Sequence, residues 1–123
     1  MKCLFSVTKS SLKNISINCI FDLFYIYIYN RKTHNFSLLM KKKDIKILLV
    51  DDEQDILEIV GYNLTQEGYQ ISTASNGKEA IQKAKKELPH LIIMDVMMPE
   101  MDGMEACENI RKVPELSNVI ITF

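Results

Sequence analysis

A chain of 123 residues with 47% hydrophobic and 25% charged side chains has the length and make-up of one ordinary soluble domain. Its formal net charge of −1 recommends neither a nucleic-acid nor a membrane partner. The three cysteines, Cys3, Cys19 and Cys107, form no C-x-x-C pair or metal spacing, and an odd count argues against a disulfide framework, so a reducing cytoplasm suits them.

The near-neutral average conceals a seam. Residues 1–39 carry five basic residues and one acid, net +4, whereas residues 40–123 carry ten basic and fifteen acidic, net −5. The first segment lacks Gly, Ala, Pro and Glu, and 25 of its 39 residues are Phe, Ile, Lys, Leu, Asn or Tyr, all types that AT-rich codons supply. This composition favours an extension outside the domain, translated from upstream DNA, with the natural start at Met40. A targeting segment is the rival, because Lys2, Lys9 and Lys13 precede an apolar stretch from Ile15 to Tyr29. Asn18 and Asp22 interrupt that stretch, its fifteen residues fall short of the ~20 that span a bilayer, and no A-x-A-like cleavage site follows. A membrane role through residues 15–29 is therefore the weaker reading. A third is a genuine extension of no assigned role, or one whose Tyr/Ile run adds a strand to an exposed sheet edge.

From Met40 the punctuation becomes regular. Ile45 to Val50 is a continuous aliphatic run, which reads as a strand buried on both faces, and it ends abruptly in Asp51-Asp52. A helix from about Gln54 to Glu67 places Ile56, Leu57, Val60 and Leu64 on one face and stops at Gly68. Tyr69 to Ala74 is a second strand. Asn76-Gly77-Lys78-Glu79 has the N-cap and following acid of a capping box, and its helix should turn Ala80, Ile81, Ala84 and Leu88 inward before Pro89. Leu91 to Met94 is a third strand, again tipped by acid at Asp95. Asp102-Gly103-Met104-Glu105 repeats the cap pattern for a short helix with Met104, Cys107 and Ile110 inward, until Pro114 intervenes. Val119 to Phe123 begins a fourth strand. This β-α-β-α-β-α-β order implies parallel strands joined by helical crossovers, hence an α/β fold with a doubly wound sheet.

In open α/β sheets the binding crevice lies beyond the carboxyl ends of the strands, so Asp51, Asp52 and Asp95 should converge there. Two carboxylates ~4 Å apart repel by about 4 kcal/mol at an effective dielectric near 20, so three in one crevice call for a cation or protons. Magnesium suits an all-oxygen set with no His or Cys beside it. Helix capping alone does not explain the three acids, because one cap suffices per helix and Asp102 already serves the third. Asp55, in the first turn of the first helix, is the acid that such capping electrostatics explains.

The strings Lys46-Ile47-Leu48-Leu49-Val50-Asp51-Asp52-Glu53 and Leu91-Ile92-Ile93-Met94-Asp95-Val96-Met97-Met98-Pro99-Glu100-Met101-Asp102-Gly103 resemble the receiver domain of two-component response regulators. The resemblance covers Lys41 to Phe123 and implies a flavodoxin-like sheet of order 2-1-3-4-5, that of the chemotaxis receiver. It further implies that Asp95 is the phosphoacceptor for a sensor histidine kinase, that Asp51 and Asp52 bind Mg2+ together with Asp95, and that the Met97 backbone carbonyl supplies a further metal ligand. Met98-Pro99 and Asp102-Gly103 would shape the pocket.

The same resemblance sets two further expectations. The family's phosphoryl-binding hydroxyl and lysine belong at the ends of the fourth and fifth strands. Thr122 reads as an in-strand residue, and the fifth strand, the last helices and an output domain would lie beyond Phe123. Residues 1–39 then form an unrelated extension and 40–123 a partial receiver that binds no nucleic acid directly. The alternative is an inactive receiver-like fragment or docking module that lacks the Thr and Lys needed for phosphorylation. An aspartyl phosphatase is disfavoured, because neither Asp51 nor Asp95 begins a D-x-D signature.

Overall fold

The computed structural model describes residues 41–123. The expectations for residues 1–39 and for Met40 lie outside the described residues. A single 3-10 turn, Lys42–Asp44, leads into β1 (Lys46–Val50). Then follow α1 (Gln54–Gln66), β2 (Gln70–Ala74), α2 (Gly77–Glu87), β3 (Leu91–Met94), α3 (Gly103–Arg111), a 3-10 turn at Pro114–Leu116, and β4 (Ile120–Thr122). The four strands are parallel in the order β2-β1-β3-β4. The expected alternation and strand order are therefore both present.

Burial explains why β1 and β3 carry unbroken aliphatic runs. Leu48, Val50, Ile92 and Met94 point to one face, where they pack with Ala80 and Ala84 of α2 and Ala106, Cys107 and Ile110 of α3. Ile47, Leu49, Leu91 and Ile93 point to the other, where Leu57 and Leu64 of α1 meet them. Period-two alternation sends successive residues to opposite faces, and since both faces are covered neither set can be polar. Each fully buried aliphatic side chain contributes about 1.5–3 kcal/mol relative to exposure, so these two strands carry much of the core. By contrast β2 is an edge strand, and of its five residues only Ala74 is fully buried.

The helix ends follow local chemistry. Gly68 adopts φ +97°, and its N–H reaches the Thr65 carbonyl while the Tyr69 N–H reaches that of Leu64, which closes α1 in a Schellman motif. At the start of α2, Asn76 Oδ1 accepts the Glu79 N–H at 2.8 Å. Glu79 Oε2 reaches back to the Ser75 N–H at 2.8 Å and hydroxyl at 2.9 Å. The Ser75 N–H first, then Lys83 and the Ser75 hydroxyl, hold the Glu79 carboxyl down at about 2. Asp102 caps α3 by accepting the Glu105 N–H at 2.8 Å.

Two expected core positions are corrected. Leu88 is 46% exposed, because it leaves the helix as a left-handed cap residue at φ 49°, and the helical spacing that would set it beneath Ala84 no longer applies. Its departure follows from Pro89, which disfavours helical backbone in the residue before it. Met104 is 44% exposed. The inward stripe of α3 runs through Gly103, Ala106, Cys107 and Ile110, and Met104 sits roughly 100° round the helix from Gly103. Gly103, pressed against the preceding loop, sets that rotation.

At the base of the sheet His90 links three strands. Its Nδ1 accepts the Lys46 N–H at 3.0 Å. Its N–H donates to the Lys46 carbonyl at 2.9 Å, and its carbonyl accepts the Ile120 N–H at 3.4 Å. Burial, and secondarily the Lys46 charge, lowers the imidazole pKa from its ordinary 6.5. A proton on Nδ1 would face the Lys46 N–H, so the folded state prefers neutral imidazole. That contribution is fully present above the unfolded pKa near 6.5 and is lost as pH falls through the folded value. Urea midpoints measured between pH 7.5 and 5 should therefore fall for the native chain, and His90→Asn, whose amide oxygen accepts the same N–H without titrating, should flatten that step.

Candidate functional site

The parallel register pairs Val50 with Met94, so Asp51 and Asp95 follow two facing residues at the same height. Ladder bonds continue one step further. The Asp95 N–H reaches the Val50 carbonyl at 2.9 Å, and the Asp51 N–H reaches the Ala74 carbonyl at 3.1 Å. Both acid backbones are thus held by the sheet rather than by a free loop. Asp51 is buried at 3% exposure, Asp95 is half-buried and Asp52 is exposed. One carboxylate oxygen from each lies within 4.8 Å of the others, which brings together all three side chains that the sequence singled out.

Local bonds orient these carboxylates. Asp51 Oδ1 accepts the Glu53 N–H at 2.9 Å, shaping the turn into α1, whose N-cap Glu53 makes no side-chain cap bond of its own. Asp95 Oδ1 accepts the Met97 N–H at 3.3 Å. Met97 projects its side chain outward at 77% exposure, so core packing does not hold it. Gathering like charges this closely is costly unless a cation or protons offset them, and a donor set made only of carboxylate oxygens fits a hard divalent ion such as Mg2+.

The loop from Asp95 to Gly103 is tightly closed. The Gly103 N–H donates to the Val96 carbonyl at 3.0 Å, and the Met101 N–H donates to Pro99 at 2.8 Å. Glu100 sits at φ 67°, a left-handed conformation uncommon for a residue with a side chain. A Cβ on Gly103 would collide with the Asp95 carbonyl oxygen and lie 3.0 Å from Val96 Cα. Sequence reasoning identified Gly103 only as part of a cap and pocket loop. A glycine at the first position of a helix, where nothing in the helix requires one, was the available signal.

On the α1 side, a small open groove runs up to Asp51 and Asp95 between Leu49, Leu57, Val60 and Ile93. Thr122 lies within β4, paired with Ile93, as its in-strand reading expected.

Residues 47–123 match the family model for the response regulator receiver domain. The chain belongs to that family. It is 51% identical over 67 residues to the alkaline phosphatase synthesis transcriptional regulatory protein PhoP of Bacillus subtilis, covering 54% of this chain and 28% of that protein. It is 43% identical over 83 residues to the probable transcriptional regulator ycf27 of Pyropia yezoensis, covering 68% of this chain and 34% of that one. Among solved structures, the chemotaxis response regulator CheY4 of Vibrio cholerae superposes with a TM-score of 0.61 at 38% identity, covering 63% of this chain and 64% of that one. The response regulator TrrA of Thermotoga maritima, solved in complex with Mg(2+)-BeF, gives 0.55 at 42% identity, covering 58% and 62%. The chain thus spans about a third of the length of these curated relatives and less than two thirds of these structures. This is a signalling domain rather than a conventional enzyme, and among the described residues no helix is long and apolar enough to cross a membrane.

Because the atoms opposite Gly103 belong to backbone, they cannot rotate away. Gly103→Ala should destabilise the domain by about 1–3 kcal/mol, as overpacking does, which urea unfolding would measure.

Proposed function

We propose that this receiver takes a phosphoryl group from the phosphohistidine of a sensor kinase onto Asp95. The observation that carries the reading is the convergence of Asp51, Asp52 and Asp95 within 4.8 Å at the ends of two adjacent parallel strands. Asp51, Asp52 and Asp95 would hold Mg2+ together with the Met97 carbonyl, and TrrA, solved with Mg(2+)-BeF, supports that assignment by similarity. The ion, when bound, neutralises charge between the carboxylates and incoming phosphoryl oxygens.

The chain's own contribution is positional. Asp95 Oδ1 is oriented by the Met97 N–H, while the sheet fixes its backbone through the Val50 carbonyl. Phosphoryl transfer depends mainly on such in-line positioning and on charge stabilisation, and the nucleophile's attack yields an aspartyl phosphate. The protein is then both substrate and partial catalyst, working in the cytoplasm. Transcriptional regulation, the role named for PhoP and ycf27, would be delivered by an output domain of a longer polypeptide and not by direct nucleic-acid contacts of the receiver.

Incubation of the chain with Mg2+ and a small radiolabelled acyl phosphate should label it, and hydroxylamine should release the label. Asp95→Ala, or excess EDTA, should reduce labelling to background. Equal labelling of the native and Asp95→Ala chains would refute Asp95 as acceptor. Magnesium binding with no labelling of either would support the inactive fragment or docking module, which lacks the phosphoryl-binding hydroxyl and lysine.

A further inference from the structure

We infer that Gly77, on a different element from every acid of the site, is a positioning residue for the metal-binding loop. This inference rests on the Mg2+-dependent reading of Asp51, Asp52 and Asp95. Gly77 is the first residue of α2, and its φ is not in the left-handed region, so the backbone does not demand glycine there. Nor does the N-cap at Asn76 demand glycine as its successor. Space is what the position requires. A Cβ on Gly77 would lie 2.9 Å from both Cγ and Sδ of Met101 and 3.1 Å from its Cβ.

Met101 belongs to the loop that follows Asp95. Its side chain packs into the core between α2 and α3, against the slot that Gly77 leaves. Rotating the flexible thioether would relieve the contacts at Cγ and Sδ but not the one at Cβ, where loop and helix must part by a few tenths of an ångström, and Cβ moves only with the Met101 backbone. That backbone cannot shift alone. The Met101 N–H is bonded to Pro99, the neighbouring Glu100 is already at φ 67°, and the Gly103 N–H closes the loop onto Val96. Displacement therefore travels toward Met97, whose N–H orients Asp95 and whose carbonyl would ligate the metal. The other side of the contact is rigid, because Asn76 and Glu79 fasten the start of α2. The exposed Lys78–Glu100 pair at 3.4 Å also bridges helix and loop, but exposed pairs contribute little.

The test uses the full chain and three variants, Gly77→Ala, Met101→Ala and the double variant, with magnesium titrated by calorimetry and backbone amide shifts followed by NMR. Gly77→Ala should weaken Mg2+ binding about 10-fold, the low end of the effect of removing a ligand's supporting partner. The double variant, in which the slot is again roomy, should recover most of that affinity. Unchanged affinity in Gly77→Ala, or a loss that Met101→Ala does not recover, overturns the inference. If the native chain binds no magnesium, the reading of the carboxylates fails separately. The inference is then decided by the metal-free amides of Met97 and Gly103, which should move in Gly77→Ala and return in the double variant; amides that stay in place overturn it.

Discussion

Everything at this site depends on the register between β1 and β3. Because Val50 faces Met94, the first residues beyond each strand arrive side by side, and two ladder bonds past the strand ends prevent them from drifting. A slip by one residue would carry each aliphatic side chain to the opposite face and separate Asp51 from Asp95. The packing that stabilises the sheet is consequently the same packing that gathers the acids. Forcing like charges together is unfavourable, and the two-sided apolar core provides the opposing free energy.

The two faces of the sheet are covered differently. One carries α2 and α3, with small residues, Ala80, Ala84 and Ala106, that let helices lie close to the strands. The other, among the described residues, carries α1 alone, and the groove beside Val60 and Ile93 leads from this thinner side to Asp51 and Asp95. The outward side of α1 shows Ile59 and Tyr62 at 54% and 66% exposure. The acidic cluster therefore lies between a closely packed layer and a more open one.

Strands β1 and β3 were legible because a strand buried on both faces has no choice but continuous hydrophobicity, and the acids that end them interrupt it sharply. Asn76, Glu79, Asp102 and Gly68 were legible for an equally local reason, since caps are satisfied within a few residues of themselves. Leu88 and Met104 were misjudged because helical periodicity extends no further than the helix and fixes its rotation only relative to itself. The partners of Gly77, Gly103 and His90 could not be read from the chain. Each meets a group supplied by another turn or element, and a missing side chain leaves no pattern from which to infer what fills its place.

Arg111 ends α3, and its Nη1 donates to the carbonyls of Leu116, Ser117 and Val119, on the approach to β4. At the opposite end of the same helix, Gly103 is seated on the Asp95 carbonyl. The helix between them is a stiff rod about 13 Å long, given a rise of ~1.5 Å per residue. Pinned at both ends, it cannot tilt at one without pulling on the other. A change of charge at the tip of β3 thus has a mechanical route, through a single element, to the entrance of the outermost described strand.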